Sequence, residues 1–298
     1  MIKKPIILIC THKPYNIIQN DIMKSILVGA YKHSDNFTFF RDDVGENISN
    51  KNDTYCELTA LYWAWKNLDE SYDYVGLFHY RRYLTFNDKA IYKRFFPNLH
   101  KISSLIHKYN HNHILKLCNS FDIIMIEKER LKAPSYRQSH SDEFMTKMFF
   151  YNAEVANLVL DILDKQYPNS SEELRKILYN QEYSSYLHLK NMFFMKRKYF
   201  NQYMEFLFNI LFELEQRLST EQYKHINISR RFGYISEILI NVFLKTQIKE
   251  EILIKEFNLT KAFNVELNSN FLNKLKTKIK ARLNIAYFKY LFNKLTQK

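Results

Sequence analysis

Two hydrophobic periods divide the chain. Residues 6–10 and 74–78 are unbroken apolar runs of strand length, and 121–126 is another that only Asp122 interrupts, the pattern of strands buried on both faces. Around them, residues 16–29 read as helix and turn, 37–40 as a short strand, and 56–68 as a helix with Asp53 or Thr54 as its N-cap. Past residue 150 the period lengthens. Residues 152–166, 198–218 and 234–245 carry apolar positions at helical spacing, with the short apolar run 192–195 among them as one more strand. Strands alternating with helices predict an α/β fold, a mostly parallel sheet flanked by helices, completed by a helical C-terminal half.

Composition adds a second feature, the C-terminal tail. The net charge is +13, yet residues 271–298 hold eight Lys and Arg and no acidic residue, so more than half of the excess sits there. Leu272, Leu275, Ile279, Leu283, Phe288, Leu291 and Phe292 recur at roughly helical spacing within it. A basic helix with an apolar face suits an anionic membrane surface, or it packs on the core with its basic face in water. The expected division is a domain over residues 1–250 and a basic helical tail over 251–298. Charge gathered in this way, without a recognised nucleic-acid motif, argues against a nucleic-acid partner. The apolar run 6–10 is too short for a signal sequence, and no later stretch reaches the length of a membrane span, so a cytoplasmic protein is expected. The three cysteines form no CxxC pair, which argues against a disulfide framework or a zinc site. With 24 Phe and 22 Tyr, the chain can build a large core.

Candidate chemistry concentrates where apolar strands end. The run after residue 78 is His79-Tyr80-Arg81-Arg82-Tyr83. Ligands of open α/β sheets bind outside the carboxyl ends of strands, and paired guanidinium forks match a phosphate. A phosphate-bearing substrate is the first expectation, with the alternative that one arginine forms a structural ion pair. Thr11 and His12 follow the first strand in the same way. Glycine occurs only at Gly29, Gly45, Gly76 and Gly233, each expected where the backbone needs positive φ or close approach. After Gly233, read as part of a turn, Glu237 is expected in the first turn of a helix, where it can act as a general base or pair with Arg230 or Arg231. The polar stretch 42–59, with Asp42, Asp43, Glu46, Asn47, Ser49, Asn52 and Glu57, can hold a cation, read a ribose and base, or cap turns. Residues 139–142 (Ser-His-Ser-Asp) offer His140 as an acceptor contact. P-loop, GxGxxG, GxSxG and DxD patterns are absent, which sets aside kinases, dinucleotide enzymes and serine hydrolases.

The stretches THKPY (11–15), VGA (28–30), GENISNKNDTYCELTALYWAWKN (45–67), DYVGLFHYRRYL (73–84), NMFFMKRKYFNQYMEFLFNILFELEQR (191–217) and RRFGYISEILINVFL (230–244) resemble the bacterial capsular and exopolysaccharide glycosyltransferases first catalogued as a domain of unknown function. The resemblance implies a GT-A-like fold. It also implies transfer of a hexose, with galactose in pyranose or furanose form the leading guess, from a UDP-linked donor to a lipid-linked capsule, exopolysaccharide or lipopolysaccharide glycan. The expected place would be the inner face of the plasma membrane. Many GT-A enzymes hold a divalent cation on a DxD at the end of the strand equivalent to residues 74–78. Here that place reads His79-Tyr80-Arg81-Arg82, so guanidinium charge would replace the metal. The resemblance casts Glu237 as the base of an inverting reaction. Donor contacts would come from Thr11, His12, Asn47, Ser49, Glu57, His79, Arg81, Arg82 and Asn191, and acceptor contacts from His140 and Arg231. The alternatives are a metal-dependent (Mg²⁺ or Mn²⁺) or retaining transferase using the acidic stretch 42–57, or a non-catalytic nucleotide- or glycan-binding subunit.

Overall fold

A computed structural model describes residues 4–15, 17–86, 95–96, 111–130, 145–179 and 186–262. Strand β1 (Pro5–Thr11) is buried throughout. Its odd and even residues serve two separate cores: Ile6, Leu8 and Cys10 on one face, Ile7 and Ile9 on the other. That arrangement explains why an alternating period is missing from the sequence. β1 pairs in parallel with β2 (Met23–Leu27) on one side and with β4 (Tyr74–His79) on the other. β3 (Phe40–Arg41) continues the parallel set from β2.

Beyond β4 comes β10 (Phe193–Lys196), antiparallel both to β4 and to β7 (Ile123–Ile126), and β11 (Ile254–Phe257) closes the row parallel to β7. A side branch follows β4 through β5 (Arg82–Leu84) to β12 (Leu259–Ala262) and β6 (Phe95–Phe96). A separate two-stranded pair joins β8 (Glu129–Arg130) and β9 (Tyr186–Leu187).

Helices cover both faces. Alongside the short α1 (Asn52–Tyr55), α2 (Leu58–Asn67), α4 (Ala153–Gln166), α5 (Pro168–Tyr179), α6 (Arg197–Leu218) and α7 (Arg231–Thr246) share the core of Ile6 and Leu8. α3 (His111–Ser120) sends Ile114, Leu117 and Cys118 into the core of Ile7 and Ile9 on the opposite face. The predicted α/β class with a mostly parallel sheet therefore holds. Gly76 lets β4 and β10 close up: a Cβ there would stand 2.7 Å from the Phe193 carbonyl oxygen.

The structure corrects three local expectations. Residues 23–27 form a strand rather than helix and turn. The Asn20 side chain accepts hydrogen bonds from the Ile22 and Met23 amides (2.9 and 2.8 Å), turning the chain into a parallel pairing with β1 that local propensity does not reveal. The helix expected over 56–68 is found at 58–67. Its expected caps, Asp53 and Thr54, lie instead within the separate helix α1, parted from it at Cys56, whose φ of 52° belongs to the left-handed region. Finally, the sheet runs on past residue 250. Ile254–Phe257 and Leu259–Ala262 are strands, because the open edge of β7 and the edge of β5 both need backbone partners. The rest of the expected basic tail, 263–298, lies outside the described residues.

Candidate active site

Because β1 and β4 are parallel neighbours, their carboxyl ends put Cys10 beside His79. A cleft of about 560 Å³ opens there, lined from the strand ends by Cys10, Thr11, His12 and the run His79-Tyr80-Arg81-Arg82. Across it stand Asn52, Asp53, Cys56 and Glu57 from the α1–α2 junction, and Ser229, Arg230, Gly233, Tyr234 and Glu237 from the start of α7. The break at Cys56 turns Glu57 toward the cleft. The Arg230 amide donates to the Asp53 carbonyl (2.8 Å), which ties α7 to α1.

The floor is a hydrogen-bonded cluster. Glu237 accepts from the Lys190 amide (2.7 Å). The Lys190 carbonyl in turn lies 2.8 Å from Nε2 of His79. A carbonyl only accepts, so that nitrogen carries the proton and Nδ1 accepts from the Cys10 thiol at 3.4 Å. Lys190 and Asn191 both adopt positive φ (73° and 49°), an unfavourable conformation for non-glycine residues. It is what aims the Lys190 peptide at His79 and Glu237 from its two ends. Asn191 then donates to Glu57 (2.8 Å) and to the Gly233 carbonyl (3.0 Å), and accepts from Ser236 (3.0 Å).

Burial pushes the Glu237 carboxyl up to about 7, aided by the charge of Glu57; the Lys190 amide and the charges of Lys190 and Arg82 hold it back. Burial lowers His79 below its ordinary value. It lowers His12 as well, with Lys13, Arg81 and Arg230 adding to the effect. The cleft thus joins a cationic mouth to a floor of two carboxylates. No described carboxylate forms an ion pair with Arg81 or Arg82; Arg81 instead lies over the Tyr80 ring at 5.3 Å. Tyr80 stacks on Tyr15 at 4.3 Å, and His12 meets both rings edge-on.

The sequence-predicted residues divide between cleft and scaffold. Thr11, His12, Glu57, His79, Arg81, Arg82 and Glu237 line the cleft. Within that set, His79 has both ring nitrogens engaged by the protein, which makes it a support for the Lys190 peptide rather than a free donor contact. Asn191 lies behind the cleft as the clasp on Glu57. Asn47 and Ser49 do not line it: Asn47 folds back on the Gly45 carbonyl and the Ser49 amide, and Ser49 donates to Asp42. Arg231 is also outside the lining, its guanidinium against the rings of Tyr151 and Tyr234. His140 lies outside the described residues.

Glu237 is not in the first turn of its helix either. α7 begins at Arg231, so Gly233 is helical rather than part of a turn. Its missing side chain instead admits Cys56, whose Cβ would stand 3.3 Å from an added methyl. Arg230 and Asp53, which face the cleft, carry a weak signal in sequence: a charged residue beside a glycine-bearing helix start, and one at an expected cap. Cys10, Cys56 and Tyr234 carry none.

Three acids of the stretch 42–57 are engaged by protein partners instead of meeting at one point. Asp42 is surrounded by protein donors, Asp43 pairs with Arg41 (2.7 Å), and Glu46 accepts from Tyr62 (2.7 Å). At the end of β4, a histidine engaged at both nitrogens and two guanidinium groups do not fit a hard divalent cation, which takes oxygen ligands.

Residues 6–249 match a known family, described as Domain of unknown function (DUF4422). The chain belongs to this family. Its fold is also similar to that of a solved structure, the WbbM bifunctional glycosyltransferase in its apo form, with a TM-score of 0.74 and 31% identity over 90% of this chain and 48% of that one. The chain thus spans about half the length of the structure it matches. None of the curated proteins matches it.

Proposed function

We propose that the protein is a glycosyltransferase that moves a hexose from a nucleotide-sugar, UDP-linked, to a hydroxyl of a surface-glycan acceptor, with inversion at the anomeric carbon. The observation that carries this reading is the cleft itself: two arginines at its mouth without carboxylate partners among the described residues, and a carboxyl raised to about 7 at its floor. Glu237 accepts the proton of the acceptor hydroxyl as that oxygen bonds to the anomeric carbon. The bond from that carbon to the donor diphosphate breaks, and its electron pair leaves with the nucleoside diphosphate. A base poised near neutrality is well matched to this task.

The charge that grows on the leaving group faces Arg81, Arg82 and Arg230, fixed cations that take the part a metal plays elsewhere. The ring of Tyr80, with His12 at its edge, offers a flat surface to the base. Glu57, held at one oxygen by Asn191, turns a carboxylate toward the donor sugar hydroxyls. The similarity to the WbbM structure supports this reading.

Calorimetric titration with a panel of nucleotide-sugars, first in EDTA and then with Mn²⁺, tests it. UDP-sugar binding in EDTA is expected, weakened about 10- to 100-fold in Arg81→Ala or Arg82→Ala, the worth of one charged hydrogen-bonding partner. Binding that requires Mn²⁺ overturns the guanidinium assignment, and no binding in either condition overturns the donor reading.

In the same proposal the acceptor is lipid-linked, and the basic segment 271–298 brings the protein to an anionic membrane surface at the inner face of the plasma membrane. No helix among the described residues is long and apolar enough to cross a membrane. Deleting 271–298 should release the protein from anionic vesicles and leave transfer to a soluble acceptor intact; retained vesicle binding contradicts the anchor.

A further inference from the structure

Beside the cleft lies a group of side chains that the proposed chemistry does not use. Tyr234 lines the cleft with 38% of its surface exposed, and Tyr151 is 45% exposed. The Arg231 guanidinium carbon lies 4.9 Å from the Tyr151 ring centre and 5.8 Å from that of Tyr234, so one planar cation bridges two outward-facing rings. Arg231 Nε is buried without a hydrogen-bond partner among the described residues, a condition native structures seldom tolerate without a reason.

The backbone here is specialised too. Thr146–Phe150 is a π-helical turn, anchored by buried Phe149 and Phe150. It ends at Tyr151 with φ 76° and ψ −46°, an unfavourable conformation that a bulky residue holds only where its surroundings impose it. Such turns frequently occur at functional sites.

We infer that Tyr234 and Tyr151, bridged by Arg231, form a saccharide subsite for the acceptor units that follow the reacting one; the inference rests on the transferase reading above. Helix geometry supplies the alignment. Arg231, Tyr234 and Glu237 are spaced three residues apart on α7, each beside the next, on a row that advances about 4.5 Å along the axis and winds about 60° around it at each step. From the base at Glu237 the line leads outward past Tyr234 to Arg231 and Tyr151, a step of about one sugar ring each time. An acceptor with its reactive hydroxyl at Glu237 lays its next units over the tyrosine rings, apolar sugar faces on aromatic faces and hydroxyls toward the guanidinium. Rings with a polar handle suit a saccharide better than an aliphatic partner.

Saturation-transfer NMR on the full chain, with UDP present, tests the subsite. The probes are methyl glycosides of galactose, glucose, mannose and rhamnose and their disaccharides. At least one disaccharide should receive stronger saturation than its monosaccharide. The difference should vanish in Tyr151→Ala and in Tyr234→Ala and persist in Tyr151→Phe and Tyr234→Phe, while UDP affinity in Tyr151→Ala stays within about twofold, well under the tenfold that 1.4 kcal/mol represents. Undiminished disaccharide saturation in both alanine variants overturns the subsite, as does a wild-type protein that binds UDP but favours no disaccharide. Failure of the wild-type protein to bind UDP is a separate result; it overturns the transferase reading and this inference with it.

Discussion

Asp42 and Glu237 are both carboxylates withdrawn from water, and the protein treats them in opposite ways. Asp42 is fully buried and accepts four hydrogen bonds: from the Gly29 and Ala30 amides at 2.9 Å and from the Ser49 and Thr59 hydroxyls at 2.5 Å. Its charge is matched on every side, and it binds the turn after β2 to the start of α2. Among the described residues Glu237 has one such partner, the Lys190 amide, with a second carboxylate nearby. A buried charge satisfied by donors is architecture. One left short of them is held ready for a proton. This difference, rather than acidity or burial alone, marks the chemical residue of the pair.

Exchanging the roles of these residues gives the largest expected effects. Asp42→Ala strands four buried donors and should lower stability by roughly 3–5 kcal/mol, read from denaturant unfolding. Glu237→Gln keeps an acceptor for Lys190 and should fold normally, bind donor as before and lose turnover by about 10²- to 10⁴-fold. A folded Asp42→Ala of native stability, or an active Glu237→Gln, would erase the distinction.

pH sharpens the comparison by a smaller margin. A base must be deprotonated to act, so kcat should rise with pH through about 7, the value to which burial lifts Glu237. Residual turnover in Glu237→Gln should lack that step, and a wild-type rate that is flat from pH 5 to 8 would remove Glu237 from the base role. Stability should move the other way. Between its ordinary value of 4.5 and about 7, Glu237 binds more protons folded than unfolded, so ionising it lowers the unfolding free energy as pH rises. Glu237→Gln should therefore exceed wild type by about 1–3 kcal/mol above pH 7 and converge with it near pH 4. Equal stability at both ends would mean that the carboxylate is better solvated than its surroundings imply.

Much of this architecture is legible in the amino-acid sequence. Apolar runs announce β1, β4, β7 and β10, and helical spacing announces α4, α6 and α7, because those elements bury continuous faces. The arginine pair and Glu237 also stand out, as charges next to apolar runs. The departures have a common physical origin. Residues 23–27 become a strand only because β1 offers a parallel edge. Residues 254–262 join the sheet because two edges need partners.

Asn47, Ser49 and Arg231 have side chains any ligand site could use. Their contacts decide otherwise. The first two bond within the Asp42 loop, to residues two to seven positions away, and the third lies between Tyr234 on its own helix and Tyr151, which only the fold brings near. Asn191 and His79 stand out in sequence as polar groups at strand ends, but the fold engages both in holding the site together. They act through Lys190, Glu57 and Gly233, and the backbone groups of Lys190 and Gly233 carry no signal in sequence.

By itself the sequence determined which segments leave water and where charge meets them, since burial follows from the periodicity of apolar residues and phosphate affinity from guanidinium groups. Tertiary structure alone decided which carboxylate was left short of hydrogen-bond donors. That property belongs to the space between β1, β4, α1 and α7, where residues from 10 to 237 meet, and no local stretch of chain contains it.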